Sequence, residues 1–169
     1  MTSPELSEWP TSDPRYRRSE HSANLGRGTA IWERATAEVL RWRVKTASGF
    51  TVDPAEPVSA GDRLDIRVHL LGRVVVEPVE VISVVRDPER VGFAYRTMPG
   101  HPVEGEEAFI VHRHDERVGL TVRSLTRAAP QQPWRALYPL LLIAQRIVRR
   151  RYLRALRWPD SNTGPTSNP

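Results

Sequence analysis

The chain has no cysteine, so it can build neither a disulfide framework nor a thiolate metal site. Lysine is almost absent as well: of 25 basic residues only Lys45 is a lysine, and the rest are arginines. A GC-rich coding bias accounts for that skew more simply than phosphate binding does. Long hydrophobic runs are missing. The longest near-continuous one, Leu137 to Ala144, contains Pro139 and falls far short of the ~20 residues that a membrane span requires. The opening Met1-Thr2-Ser3-Pro4-Glu5-Leu6 lacks a basic region leading into an apolar one, so no secretion signal is expected and the default location is cytoplasmic.

What is present fits one domain. A chain of 169 residues is long enough to bury a core without covalent staples. Residues 1–15 and 159–169 are rich in Ser, Thr, Pro and acids and lack an apolar period, which predicts disordered tails around a domain at 16–158. The formal charge of +5 is segregated. Seven arginines and no acid lie between Trp134 and Trp158, and elsewhere 18 basic residues face 20 acidic ones. The whole basic excess therefore sits in one C-terminal stripe.

The apolar periods predict an order of elements. Tyr16 to Leu25 forms a first strand, and Gly26-Arg27-Gly28 breaks the chain before a helix with Thr29 as N-cap. Trp32, Ala35, Val39 and Trp42 share one face of that helix, which runs to about Arg43. Leu64, Ile66, Val68 and Leu70 alternate with polar residues as a half-buried strand. Arg73 to Val85, dense in valine, reads as a strand buried on both faces, with Pro78 marking an edge or bulge. Strands through Val91–Thr97, Glu106–His112 and Val118–Ser124 follow, joined by turns or a loop, and make an antiparallel meander. The last element is an amphipathic helix from Trp134 to Arg157. Leu137, Leu141, Ala144, Val148, Tyr152 and Ala155 form its apolar arc, and Pro139 falls in its first turn. Each large side chain buried from this arc contributes roughly 1.5–3 kcal/mol, enough together to dock the helix on a sheet. An α+β helix-grip fold results: a curved antiparallel sheet of about six or seven strands wrapped around a long C-terminal helix, with a hollow between them.

Two stretches carry a family resemblance. One is Gly26-Arg27-Gly28 with Trp32, Ala35, Leu40 and Trp42; the other runs from Val91 to Phe109. Together they resemble the domain of unknown function 1990, a family of actinobacteria and plants. Its pattern has a Gly-x-Gly helix start and a Tyr-Gly-Thr-Leu-x-Gly-His-Pro-x-x-Gly-Glu-Glu-x-Phe loop, then a Ser-Arg-Pro segment and a late Gln. Tyr95, Thr97, Gly100, His101, Pro102, Gly105, Glu106, Glu107, Phe109 and Gln145 match it. Arg96 replaces a glycine, Met98 a leucine, and Thr126-Arg127-Ala128 the Ser-Arg-Pro segment. The resemblance implies no activity. The strand order is also similar to the START-like helix-grip superfamily, whose members commonly carry lipids, hormones or polyketides, some being cyclases; this likeness is one of fold.

Several residues are candidates for contact with a ligand. His101 with Glu106 or Glu107 forms an acid–base pair, two ligands of a metal, or only a tight hairpin whose acids cap backbone N–H groups. Two ligands do not hold zinc or iron, and no third is identifiable, so neither a metal nor a cofactor is expected. Tyr95 and Thr97 share a strand face with Phe93 and offer a phenol to a bound molecule, or a core tyrosine bonded to backbone. Trp42 is a core residue or a ligand wall. His112 and His114 read as surface histidines. Gly26-Arg27-Gly28 reads as a turn, since a lone pair of glycines is a weak phosphate signature. Arg146, Arg149, Arg150, Arg154 and Arg157 form a basic surface that is solvated, rests on anionic lipid with Trp134 and Trp158 at its ends, or tracks phosphates. No nucleic-acid motif accompanies it, so no specific nucleic-acid partner is expected. The leading expectation is a protein binding a small apolar or lipid-like molecule in the hollow. An enzyme using the His101, Glu106 and Glu107 loop is the alternative, and a helix docking on anionic membrane or nucleic acid is the third reading.

Overall fold

A computed structural model describes residues 1–10, 13–53, 56–70 and 72–157. Its elements are β1 (Arg17–Arg27), α1 (Thr29–Val39), α2 (Arg43–Thr46), β2 (Phe50–Val52), β3 (Arg63–Leu70), β4 (Arg73–Asp87), β5 (Arg90–Thr97), β6 (Val103–His114), β7 (Arg117–Ala128) and α3 (Trp134–Ala155). The strands form one antiparallel sheet in the order β1-β7-β6-β5-β4-β3-β2. It curls into a half-barrel around α3, the helix-grip arrangement. Five consecutive hairpin partners, β3 to β7, supply the meander, and β1 closes beside β7.

Period two decides what faces the hollow. Phe93 stands opposite Phe109 and Tyr95 opposite Glu107; Glu107 stands opposite Ser124. On β4, Val79 and Val81 enter the main core, and a bulge between Val81 and Ser83 changes the parity so that Val84 lies opposite Phe93. The valine-rich stretch is not buried on both faces: Val74 and Val76 are 53% and 40% exposed. The outer face is buried from β5 to β7, where Ala94, Ala108 and Ile110 form a second core, so the outward Val74 and Val76 at the start of β4 meet solvent. Pro78 is neither edge nor bulge. It pairs with Asp65 on β3, and its carbonyl accepts the Met98 N–H just beyond the end of β5. The N–H that proline lacks is thus missing where the neighbouring strand has already stopped.

Helix α1 buries Ala35 and Val39 as the period requires. Its N-cap is Gly28, at φ 90°, and Thr29 is already helical, so the expected threonine cap is absent. The helix also stops at Val39 instead of Arg43. Trp42 adopts a left-handed backbone, φ 60°, between α1 and the single turn of α2. That conformation is costly for a bulky residue, and burial offsets it: the Trp42 ring packs edge-on against Phe93 at 4.6 Å. The turn swings α2 inward and delivers Lys45 to the hollow.

Residues 1–15 are expected as a disordered tail, yet the described part packs on the outer face of the sheet. The buried Arg123 guanidinium donates to the carbonyls of Thr2, Ser3, Leu6 and Ser7 and to Glu20. Trp9 is buried beneath Arg18, whose guanidinium lies 4.0 Å from the ring centroid. Arg123 supplies what the local composition lacks: one cation able to gather four distant carbonyls. The expected tail at 159–169 and Trp158 lie outside the described residues.

Along α3, Tyr152 is buried and Leu141, Ala144, Val148 and Ala155 are half-buried, while Leu137 is 37% exposed. The helix begins at Trp134 as expected, which places Pro139 in its second turn, not the first. The C-terminal half of α3 is therefore the anchored half.

Candidate functional site

A cavity of about 140 Å³ lies between the concave face and α3. Its walls are apolar: Phe50, Val68 and Val75 from the sheet, Leu141, Ala144, Val148 and Tyr152 from the helix. Five of its polar residues, Lys45, Glu77, Glu107, Tyr95 and His101, form one connected cluster. Lys45 Nζ lies 3.2 Å from Glu107 Oε2 and 3.8 Å from Glu77 Oε2, with the Lys45 side chain only 4% exposed. The Tyr95 hydroxyl donates to Glu107 Oε2 at 2.5 Å. Three rings, Phe50, Tyr95 and Tyr152, surround the ammonium at 4.6–5.2 Å. The two carboxylates and the ring faces are the compensation a buried ammonium needs.

The environment separates the protonation behaviour of these groups. Burial pushes the Glu77 carboxyl upward, nearby Lys45 opposes that, and the Glu107 charge adds to it. Burial and the neighbouring Glu107 raise Tyr95 well above its usual range, and burial does the same to Tyr152. His101 is held down to about 3 by burial and by Lys45. It is neutral at physiological pH. Its Nδ1 accepts the Val103 N–H at 3.1 Å, so the ring proton resides on Nε2, which faces Glu77 Oε2 at 3.8 Å.

Of the residues expected at the site, Tyr95, Thr97, His101, Glu106 and Glu107 line the cavity, although the Glu106 carboxylate itself is turned away. The Thr97 hydroxyl is occupied in accepting the Gly105 N–H at 2.9 Å. Trp42 and Phe93 are core residues behind Tyr95 and do not line it. Glu106 does not pair with His101. It lies within strand β6, which begins three residues earlier than expected, and its carboxylate turns to the outer face and accepts the Thr2 N–H at 2.8 Å. Adjacent strand residues point to opposite faces, so Glu106 and Glu107 cannot act together. The carboxylate nearest His101 is Glu77. His112 bonds to Thr121 at 2.9 Å and His114 is 92% exposed. No group of three His, Asp or Glu residues able to hold a metal ion occurs among the described residues.

The basic surface divides. Arg146, Arg150, Arg154 and Arg157 are exposed, whereas Arg149 is half-buried, lines the cavity and meets His21 Nε2 at 3.3 Å. Two central residues escape the motif reading, Lys45 and Glu77, though each leaves a trace. Lys45 is the single lysine of an arginine-rich chain. Glu77 is the one acid in the alternating series Val75, Glu77, Val79, Val81, where a core-facing valine belongs.

Comparison with known proteins agrees with this architecture. The chain is 32% identical over 154 residues to a UPF0548 protein of Deinococcus radiodurans, covering 83% of this chain and 76% of the relative. Among solved structures it is similar to a hypothetical protein from Helicobacter pylori, with TM-score 0.56, 15% identity and coverage of 92% and 96% of the two chains. It is also similar to the Zhui aromatase/cyclase from Streptomyces sp. R1128, with TM-score 0.55, 20% identity and coverage of 83% and 91%. At these identities the likeness is one of fold. The sequence profile of the domain of unknown function DUF1990 matches residues 2–155, and the chain belongs to that family.

Proposed function

We propose that this protein binds a small, largely apolar molecule of about one ring, with an oxygen acceptor seated against Lys45. The observation that carries this reading is a cavity with largely apolar walls, lined also by the connected cluster of Lys45, Glu77, Glu107 and Tyr95. Size narrows the ligand: a cavity of about 150 Å³ in another protein takes benzene, and this one is about 140 Å³. A long acyl chain does not fit unless α3 moves. Stability alone gives no reason for the cluster, since a buried ion pair is often matched by well-packed apolar residues. An ammonium has three N–H donors against two carboxylates here, which leaves one for a ligand.

Phenol, cyclohexanone and benzene distinguish the reading. The two oxygen-bearing rings are expected to bind at least ~10-fold tighter than benzene, the worth of one hydrogen bond to a charged donor. In Lys45→Met that preference disappears. Equal affinities for all three in the native protein, or no binding of any, overturn the proposal.

A second reading concerns the outer face of α3. Leu140, Ile143 and Ile147 are 62%, 53% and 52% exposed in one row, beside the exposed Arg146, Arg150 and Arg154. No helix among the described residues is long and apolar enough to cross a membrane. An apolar row flanked by cations suits the surface of an anionic bilayer. Flotation with phosphatidylcholine vesicles, with and without phosphatidylserine, tests it. Binding confined to anionic vesicles, lost at high salt and lost in Ile143→Asp, is expected; no binding at low salt rejects it.

A further inference from the structure

We propose that Glu77 is a proton-transfer residue and that the cavity isomerises a small cyclic ketone by moving a proton between carbons. This inference rests on the preceding reading, in which a ring carrying an oxygen occupies the cavity with that oxygen at Lys45.

Three observations single out Glu77. It lines the cavity beside Lys45, 3.8 Å from the ammonium, so a carbonyl oxygen at Lys45 brings the adjacent carbon to the Glu77 carboxylate. Glu107 is the more tightly held acid, its Oε2 receiving Tyr95 at 2.5 Å and Lys45 at 3.2 Å, whereas Lys45 and His101 stand 3.8 Å from Glu77 Oε2. His101 is unsuited because its Nδ1 is taken by the Val103 N–H and its Nε2 carries the proton. Glu77 is the less tightly held of the two carboxylates beside Lys45. Burial also raises its carboxyl from the ordinary value, with Lys45 opposing the shift.

The step closes without an oxidant, a reductant or a second reactant. For a β,γ-unsaturated ketone, the Glu77 carboxylate removes a proton from the carbon between the carbonyl and the double bond. The C–H electron pair becomes a C–C π bond and the carbonyl π pair moves onto oxygen, giving a dienolate whose oxygen accepts from Lys45 Nζ. Glu77, now a carboxylic acid, returns the proton to the γ carbon. The oxygen pair re-forms the carbonyl, and the product is the conjugated ketone. Lys45 stabilises the charge where it develops, in a site walled by apolar side chains.

The probe is a β,γ-unsaturated cyclohexenone in deuterated buffer, with conversion followed by ultraviolet absorbance and deuterium uptake by NMR. Saturation-transfer NMR measures its binding separately. The native protein is expected to convert and label the ketone above the buffer rate. Glu77→Gln should still bind it, with the rate lowered about 100-fold or more. Glu77→Asp should keep a reduced rate that rises with pH as the base deprotonates. Lys45, Glu107, His101, Tyr95, Tyr152 and Arg149 are the charged or titratable groups around Glu77, and circular dichroism of each variant confirms folding. Binding without conversion or labelling overturns the inference and leaves the preceding reading intact, as does a Glu77→Gln protein at the native rate. A ketone that does not bind, alongside phenol and cyclohexanone that do not bind, overturns both.

Discussion

His101 shows how a single buried side chain makes the fold sensitive to acid. In the unfolded chain its imidazole titrates near 6.5, and in the folded protein it is held to about 3, with burial the main cause and Lys45 the second. A depressed value means the folded state refuses a proton that the unfolded state accepts. The contribution is intact above 6.5 and is lost as pH falls toward the folded value. Between pH 6.5 and about pH 5 the loss should reach roughly 2 kcal/mol, at about 1.4 kcal/mol per unit. Urea unfolding across that window is expected to show the slope in the native protein and its removal in His101→Gln; an equal slope in both contradicts the assignment. Gly105 gives a second residue-scale outcome. A Cβ there, at φ 151°, would stand 1.8 Å from the Leu125 carbonyl oxygen on the paired strand. Backbone cannot yield as a flexible side chain does, so Gly105→Ala should cost about 3 kcal/mol by the same measurement.

Elements were legible where a period governs them and hidden where a contact between distant segments does. The arc Leu141, Val148, Tyr152 marks α3, and alternation marks β3, β5 and β7, because one buried face writes itself into the spacing, whereas the run of valines in β4 hides its one buried face. The break after Val39 has no such mark: a left-handed tryptophan is unfavourable locally and is held by the core it enters. The flanking Pro and Gly residues signal a turn through Gly105, and the period starts the strand at Glu106, although β6 already begins at Val103. At the cavity, Tyr95, Thr97, His101 and Glu107 were found through one contiguous motif. Lys45 and Glu77 come from other elements and converge only in three dimensions. The N-terminal segment is the same lesson from the other side. Its composition predicts disorder, and its order depends on Arg123, more than a hundred residues away. Arg123→Met therefore should free residues 1–10 to rapid hydrogen exchange and early subtilisin cleavage while β6 and β7 stay protected, with a stability loss of about 1–3 kcal/mol. A segment that stays protected in the variant shows that Trp9 and the Thr2–Glu106 bond suffice without the guanidinium.

At the scale of the molecule, α3 works between two environments. Its inner face completes a cavity whose other walls belong to the sheet, while its outer face carries most of the chain's basic excess. The helix is anchored at Tyr152 and Leu156, both buried, and is more open toward Leu137 and Leu140. Its N-terminal half is the part able to move when something enters. A ligand touching Lys45 and Tyr95 on one side and Leu141 and Val148 on the other binds the folded chain and has no site on the unfolded one. Mass action then fixes the size of the effect. At a hundred times its Kd such a ligand adds about 2.7 kcal/mol of stability. For a chain of this length each kcal/mol raises Tm by roughly 2–4 °C, so phenol at that concentration should raise it by about 5–11 °C. Hydrogen exchange should slow in α3 more than in β1, because the ligand ties the loosely packed half of the helix to the sheet. In Lys45→Met the same phenol concentration lies closer to the weakened Kd and the rise shrinks. A Tm increase of equal size in both proteins would mean that the ring is held by apolar contact alone, and that the ammonium in the cavity wall does not select the ligand.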